Sequence, residues 1–360
     1  MILTQLAGCL VDTPVFSLSQ NSIRLLPANS ARLYATLSTP TSQNVFTFSA
    51  WVKRGSYNVR HTIFGVAGTS NSMLEFTATD TLSLTLNGVV AAVSTKVFRD
   101  NSSWYHVVYS QNGSTQTLYV NNVSVATGTT ANTTFNTAVE HQIGSVAGTN
   151  FFDGYIYEIN FVDGSALTPS EFATTNATTG VWEPKRYAGT YGANGFYLSF
   201  TQTFSNVGKD YSGNSRSFNT SFLTQNDICY DIVKNNYATV CASYSYGLLS
   251  VSKGGLEATF KSSTVTNFQT FASLPISSGK FYWEATITGL GFNAGGIFFG
   301  VAKSDSELAY SNTQNSKAWT YYTYNGNKYF SSSTAYSSRS EEHTSELQSR
   351  QYLVCRLLLE

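Results

Sequence analysis

Glu158 and Asp163 are the carboxylates with which any acid–base reading of this chain begins. Retaining glycoside hydrolysis needs two carboxyl groups about 5 Å apart, one as nucleophile and one as acid. In Glu158-Ile159-Asn160-Phe161-Val162-Asp163, asparagine stands two places after the glutamate and no second glutamate follows. A spacing of five puts Glu158 and Asp163 on opposite faces of a regular strand, so the segment predicts no hydrolase. His61, His106 and His141 do not lie at metal-ligand spacings, and no cysteine pair accompanies them. Neither a Ser–His–Asp order nor a glycine-rich phosphate loop can be argued from spacing. Trp51, Trp104, Trp182, Trp283 and Trp319 offer flat apolar faces of the kind that stack on sugar rings. Trp51, Trp104 and Trp283 sit inside strand-like runs, which predicts core packing for them. Tyr57 and Tyr191, in loop-like segments, are the aromatic candidates for meeting a ligand, with the loops 54–63 and 110–117 as the binding ends.

The elements that must position these groups are short strands. FTFSAWVKR (46–54), WYHVVYS (104–110), TLYVNNVSV (117–125) and FDGYIYEINFVDG (152–164) alternate apolar with polar residues or are rich in β-branched and aromatic types. Asn121-Asn122 separates two of them, and asparagine tolerates the positive φ of a two-residue hairpin turn. NSIRLL (21–26) and ARLYATL (31–37) read as two earlier strands, and Phe196 to Phe200 as the last of the first domain. No long helical periodicity is present.

The order W-x-H-V (104–107), L-Y-V-N-N (118–122), F-x-G-x-I-x-E (152–158, with Phe152, Gly154, Ile156 and Glu158) and A-L-T-P-S-E-F (166–172) resembles the laminin-G-like branch of the concanavalin A-like jelly rolls. Asn122 replaces the family's usual glycine. The resemblance implies an antiparallel β-sandwich with a binding habit, and makes His106 a structural residue. It also implies that catalytic members would carry an E-x-D-x-x-E strand, which Asn160 interrupts. No cofactor is required. Calcium at the sandwich rim is the one ion the resemblance allows, with Asp80, Asp100, Asn101 and Asp153 as candidate ligands, although Asp and Asn also favour ordinary turns.

Residues 281–287 (FYWEATI), following Ser277-Ser278-Gly279-Lys280, and 295–301 (GGIFFGV) resemble the start of a SPRY sandwich. The last 22 residues, RSEEHTSELQSRQYLVCRLLLE (339–360), resemble the translation of a short-read sequencing adapter and are expected to be an artefact. The expected organisation is therefore all-β: a lead-in (1–20), a laminin-G-like domain (21–200), a linker (201–226), a truncated SPRY-like domain (227–338) and the artefact (339–360). Truncation would leave unpaired strand edges in the second domain.

Without the three arginines and four glutamates of the tail, 21 basic and 21 acidic residues become 18 and 17. Such near-neutrality argues against a nucleic-acid partner, which needs a basic stripe. No run reaches the ~18 apolar residues of a membrane span. Leu6-Ala7-Gly8-Cys9 has the form of a lipid-anchor box but lacks a basic and apolar leader. Cys9, Cys229 and Cys241 are too few for a disulfide framework, though Cys229 and Cys241 could pair. Charged residues are 12% and aromatics 14% of the chain, against roughly 25% charged in ordinary soluble domains, a balance suited to a virion or extracellular location.

A laminin-G-like module, the connector GVWEPKRYAGTYGANGFYLSF (180–200), the D-x-S-G-N turn (210–214) and a SPRY-like module together resemble a group of phage virion proteins. That architecture implies a non-enzymatic tail-fibre or decoration adhesin. It would recognise glycans or a host cell-surface receptor, contact other virion proteins and act as a homo-oligomer. The alternatives are a secreted carbohydrate-active enzyme or lectin and a purely structural fibre spacer.

Overall fold

The computed structural model describes residues 18–68, 71–132, 134–200 and 203–240, and beyond them 249–252, 257–260, 272–273, 283–287, 298–302, 318–322, 327–330, 332–335 and 351–355. The chain divides into two compact units, Met1–Asn236 and Tyr237–Glu360. Among the described residues there is no α-helix, only strands and four short 3-10 turns.

In the first unit two antiparallel sheets face each other. One has the order β10 (Val123–Gly128), β9 (Thr115–Val120), β8 (Tyr105–Asn112), β3 (Val45–Arg54), β12 (Gly154–Asp163), β1 (Ser22–Leu25), β17 (Ile228–Cys229), with β15 (Phe196–Leu198) paired to the far end of β12. The other runs β16 (Asn219–Ser221), β2 (Arg32–Thr36), β11 (Glu140–Ile143), β4 (His61–Val66), β5 (Ser72–Phe76), β6 (Thr81–Leu86), β7 (Val89–Val97). This is the all-β jelly-roll sandwich that the family resemblance implies, built from the strands that the alternation predicts. Asn121 and Asn122 both take positive φ, 48° and 66°, at the β9–β10 turn.

The core forms where inward side chains of the two sheets interdigitate. Phe46, Phe48, Ala50 and Val52 of β3 point inward, and Phe48 stacks on Phe64 of β4 with centroids 4.6 Å apart. Phe161 of β12 stacks on Phe196 of β15 at 5.3 Å. A second, smaller aromatic cluster lies on the outer face of the first sheet, built from Trp51, Trp104, Tyr155 and Tyr157. It is roofed by the hairpin of β13 (Ala173–Thr175) and β14 (Trp182–Pro184) and by Cys229, Ile232 and Val233. Trp51 and Trp104 are thus packing residues, as expected.

The expected linker 201–226 does not behave as one. Asn219–Ser221 extends the second sheet beside β2, and Ile228–Cys229 extends the first beside β1. The domain edge moves from 200 to 236 because bare edges of β1 and β2 present unpaired backbone groups, and these strands satisfy them. The expected loop 110–117 is likewise a tight turn: β8 and β9 stay paired from Val107↔Val120 to Asn112↔Thr115.

In the second unit, Leu249–Ser252 pairs with Glu257–Phe260, and Phe298–Ala302, Ala318–Tyr322, Asn327–Phe330 and Ser332–Ala335 form a four-stranded antiparallel sheet. Trp283–Ile287 is a strand and pairs with Gln351–Cys355. An open edge accepts an apolar partner of any origin. The preceding 277–282, the lead-in 1–17, Cys9, Cys241 and most of 339–360 lie outside the described residues. Cys229 is a free, buried thiol.

Candidate functional site

A regular strand would put Glu158 and Asn160 in line with core-facing Ile156. Instead the β12–β3 register slips between Tyr157 and Asn160, and Glu158 takes φ 49°. This bulge shifts the alternation by one residue. Ile156 faces the core before it, Ile159 and Phe161 after it, while Glu158, Asn160 and Val162 turn to the outer face. There the Tyr197 hydroxyl and the Ser19 amide (2.9 Å) donate to the Glu158 carboxylate. Burial pushes its pKa up to about 7, against the lowering effect of Tyr197, Ser19 and Arg186. The Tyr191 hydroxyl donates to Asn160 Oδ1 at 2.8 Å.

Asp163 is not a catalytic partner for Glu158. Its oxygens accept from the amides of Thr41 (2.6 Å), Ser42 (3.1 Å) and Asn194 (3.0 Å) and from Asn136 Nδ2 (2.8 Å). Despite the cost of burial, these bonds hold its pKa below the usual carboxylate value. It is a clamp that ties Thr41, Ser42, Asn136 and Asn194 to the end of β12.

Above the Glu158 network lies a solvent-open cleft of about 830 Å³, lined by residues 186–193 and 211–214. Its walls are laced together: Arg186 Nη2 donates to the Tyr211 carbonyl (2.8 Å), and Asn214 Nδ2 to those of Gly192 (2.6 Å) and Gly195 (2.8 Å). Asp210 anchors the turn by accepting from the Tyr197, Ser212 and Arg216 amides. Tyr187, Tyr191 and Tyr211 all contribute to the cleft wall, but the first two are buried, with Tyr187 edge-on to Tyr191 at 5.2 Å, and Tyr211 is the half-buried one. The Arg186 guanidinium lies over the Tyr197 ring, 3.6 Å from its centroid. A hydrogen-bonded cleft wall that offers one half-buried ring beside hydroxyls and amides can hold a polyhydroxylated ring without first being ordered.

Tyr191 is therefore in the candidate site but not as the exposed loop aromatic expected: it is 6% exposed and forms part of the wall. Half-buried Tyr57 lies elsewhere, in the β3–β4 loop. The other contributors, Arg186, Tyr187 and Tyr211, carry no strand period. Their signal is the connector 180–200 and the D-x-S-G-N turn.

The calcium candidates do not converge. Asp80 is buried between Arg54 Nη2 (2.9 Å) and Arg99 Nε (2.8 Å) and accepts the Asn58 amide. Guanidinium groups already supply its counter-charge. Asp100 accepts from the Ser102 amide and from the hydroxyls of Ser102 and Ser103, an ordinary turn, with Asn101 beside it. Asp153 lies 3.7 Å from Arg24 Nη2. Among the described residues no group of three or more His, Cys, Asp or Glu comes together to hold a metal.

The described histidines, His61, His106 and His141, are buried. His106 is buried against Trp51, with rings stacked at 4.7 Å. Trp182 Nε1 donates to its Nδ1 (3.2 Å), so Nε2 bears the proton and donates to Ser49 Oγ (2.8 Å). Burial lowers its pKa to about 3. Ser56 Oγ lies 3.2 Å from His61 Nε2, the first half of a nucleophile–base pair. No carboxylate bonds Nδ1, and burial with Arg54 lowers the pKa to about 4. A base that weak does not activate a hydroxyl near neutral pH.

The family described as the concanavalin A-like lectin/glucanases superfamily matches residues 29–173. No curated protein sequence matches the chain. Similar solved structures include a Bacteroides ovatus protein described as carbohydrate-binding, 17% identical, over 57% of this chain and 58% of that one, TM-score 0.39. A pentraxin from Limulus polyphemus is 16% identical over 43% and 85%, TM-score 0.33. Domain 4 of an extracellular arabinanase from Geobacillus stearothermophilus, in complex with arabinotriose, is 21% identical over 36% and 65%, TM-score 0.27. The chain thus spans little more than half the length of the first, and at these identities no ligand transfers from any of them.

Proposed function

We propose that the chain is a non-enzymatic glycan-binding protein of a phage virion, a tail-fibre or decoration adhesin that meets the host surface. The observation that carries this reading is the cleft of Tyr187, Tyr191 and Tyr211. It is built from the same connector (180–200) and turn (210–214) whose residues resemble virion proteins. The separate hydrogen-bond networks that engage Glu158 and Asp163 support binding over hydrolysis. A single shallow site binds weakly, and display in several copies on a particle, with other virion proteins holding the array, would supply avidity.

The test is a panel of immobilised bacterial and plant polysaccharides probed with the full chain and its Tyr211→Ser variant, with reducing sugar measured after long incubation. Expected are binding to at least one polysaccharide, loss of that binding in Tyr211→Ser, and no sugar release. Release of reducing ends would replace this reading with that of a carbohydrate-active enzyme. Binding unaffected by Tyr211→Ser would remove the cleft from it.

A further inference from the structure

The charges that line or cap the cleft are cations. The only charged residue lining it is Arg186, and no Asp or Glu lines it. The exposed Lys209 ammonium lies over the ring of Tyr211, 5.2 Å from the centroid, on the cleft wall. Arg216 reaches the back of the same wall, its Nη2 donating to the carbonyl of Ala193 (2.9 Å). Of the neighbouring carboxylates, Glu158 is buried beneath the cleft within electrostatic reach of Arg186, and Asp210 is buried and spends its oxygens on Ser212 and on the amides of Tyr197 and Arg216. In a chain of zero formal net charge, this local excess of cations beside tyrosine rings is a recognition pattern. Rings take the apolar face of a sugar, and guanidinium or ammonium groups take a carboxylate attached to it.

We propose that the cleft selects acidic polysaccharides, those whose pyranose rings carry a carboxylate, such as polyuronates. This rests on the glycan-binding reading above and names its ligand class. The sugar ring lies against Tyr211, and its carboxylate faces Arg186 and Lys209. Neutral glucans fill the same space without a partner for those charges.

Polygalacturonate and its methyl ester separate charge from shape, since esterification removes the carboxylate and keeps the ring. The full chain and its Lys209→Glu variant, whose exposed site tolerates the change, are titrated with both polymers and with dextran sulfate. Expected is binding of the acid about tenfold tighter than the ester, or ~1.4 kcal/mol, with that preference abolished by Lys209→Glu. Ester affinity should change by a smaller factor than acid affinity, and the acid preference should weaken as salt screens the exposed ammonium. Equal binding of acid and ester, lost in Tyr211→Ser, would overturn the acidic preference and leave glycan binding standing. Dextran sulfate binding as tightly as polygalacturonate, with Lys209→Glu weakening both alike, would reduce the cleft to an ion-exchange surface and overturn it too. Binding of neither these nor any neutral polysaccharide would bring down the functional reading itself.

Discussion

Lys53 and Asp231 form an ion pair with no solvent exposure on either side chain, Nζ to Oδ2 2.8 Å. Asp231 Oδ1 also takes the Trp104 indole N–H (3.3 Å), and Lys53 reaches Asn236 Oδ1 (2.7 Å). The pair fastens residues 231–236 over the outer aromatic cluster. Asp231→Ala removes the counter-charge and strands the ammonium, which breaking a buried pair makes a loss of about 3–5 kcal/mol. There is a ceiling. Burial already pushes the Lys53 pKa down, and the stranded lysine can shed its proton. That escape costs about 1.4 kcal/mol per pH unit below the free lysine value near 10.4. It amounts to roughly 4–5 kcal/mol at pH 7 but only about 2 kcal/mol at pH 9. The destabilisation should therefore shrink by about half on going from pH 7 to pH 9. Urea unfolding of the full chain, with hydrogen exchange read at amides of β3 and β12, assigns the change to this unit. Replacing both charges, Lys53→Met with Asp231→Leu, should recover most of the loss. A loss under about 1 kcal/mol at pH 7, or one that ignores pH, would refute the reasoning.

Glu158, held near 7 by burial, keeps its proton more tightly folded than unfolded. Its stability contribution is full below pH 4.5 and lost as pH climbs through 7, by roughly 3 kcal/mol at ~1.4 kcal/mol per unit. The buried histidines act oppositely: His106, lowered to about 3, gives stability present above 6.5 and lost as pH falls. Thermal unfolding of Glu158→Gln against the parent between pH 4.5 and 7.5 isolates the first effect, and parallel curves would exclude it. Asp163→Ala strands three backbone amides and should cost at least about 3 kcal/mol, measured by chemical denaturation; a change under 1 kcal/mol would show that the tied segments do not depend on it. Gly154 has φ 143°, and an added Cβ would sit 2.1 Å from the Lys53 carbonyl. Gly154→Ala should lower the melting temperature by several degrees, corresponding to more than about 1–2 kcal/mol.

The strands of the sandwich were readable because alternation survives wherever one face is buried. Phe46, Phe48, Ala50 and Val52 announce β3, and Asn121-Asn122 announces its own turn. What escaped had no period to read. β16 and β17 are two or three polar or mixed residues long, and only the bare edges of β2 and β1 make them strands. The bulge at Glu158 leaves the composition of β12 unchanged yet reverses which residues face outward, so the outer network with Tyr197 was invisible. Asp80 could be read as a turn residue or a metal ligand from its neighbours in sequence. Its actual partners, Arg54 and Arg99, lie 26 and 19 residues away. The cleft was legible only as an unassigned connector motif.

The placement of β17 has a kinetic consequence. Ser22, in β1, donates its hydroxyl to the carbonyl of Asp231, 209 residues further along the chain, and β1 is flanked by β12 and β17, both made much later. A nascent chain leaving the ribosome carries β1 for about 130 further residues before β12 exists and for about 200 before β17 does. Closing so long a loop is slow, and in the interval Ile23 and Leu25 stand on an open strand. Any expression system that makes the protein quickly will populate that unclosed intermediate, so slowing translation or lowering temperature should raise the soluble yield more than strengthening the finished core.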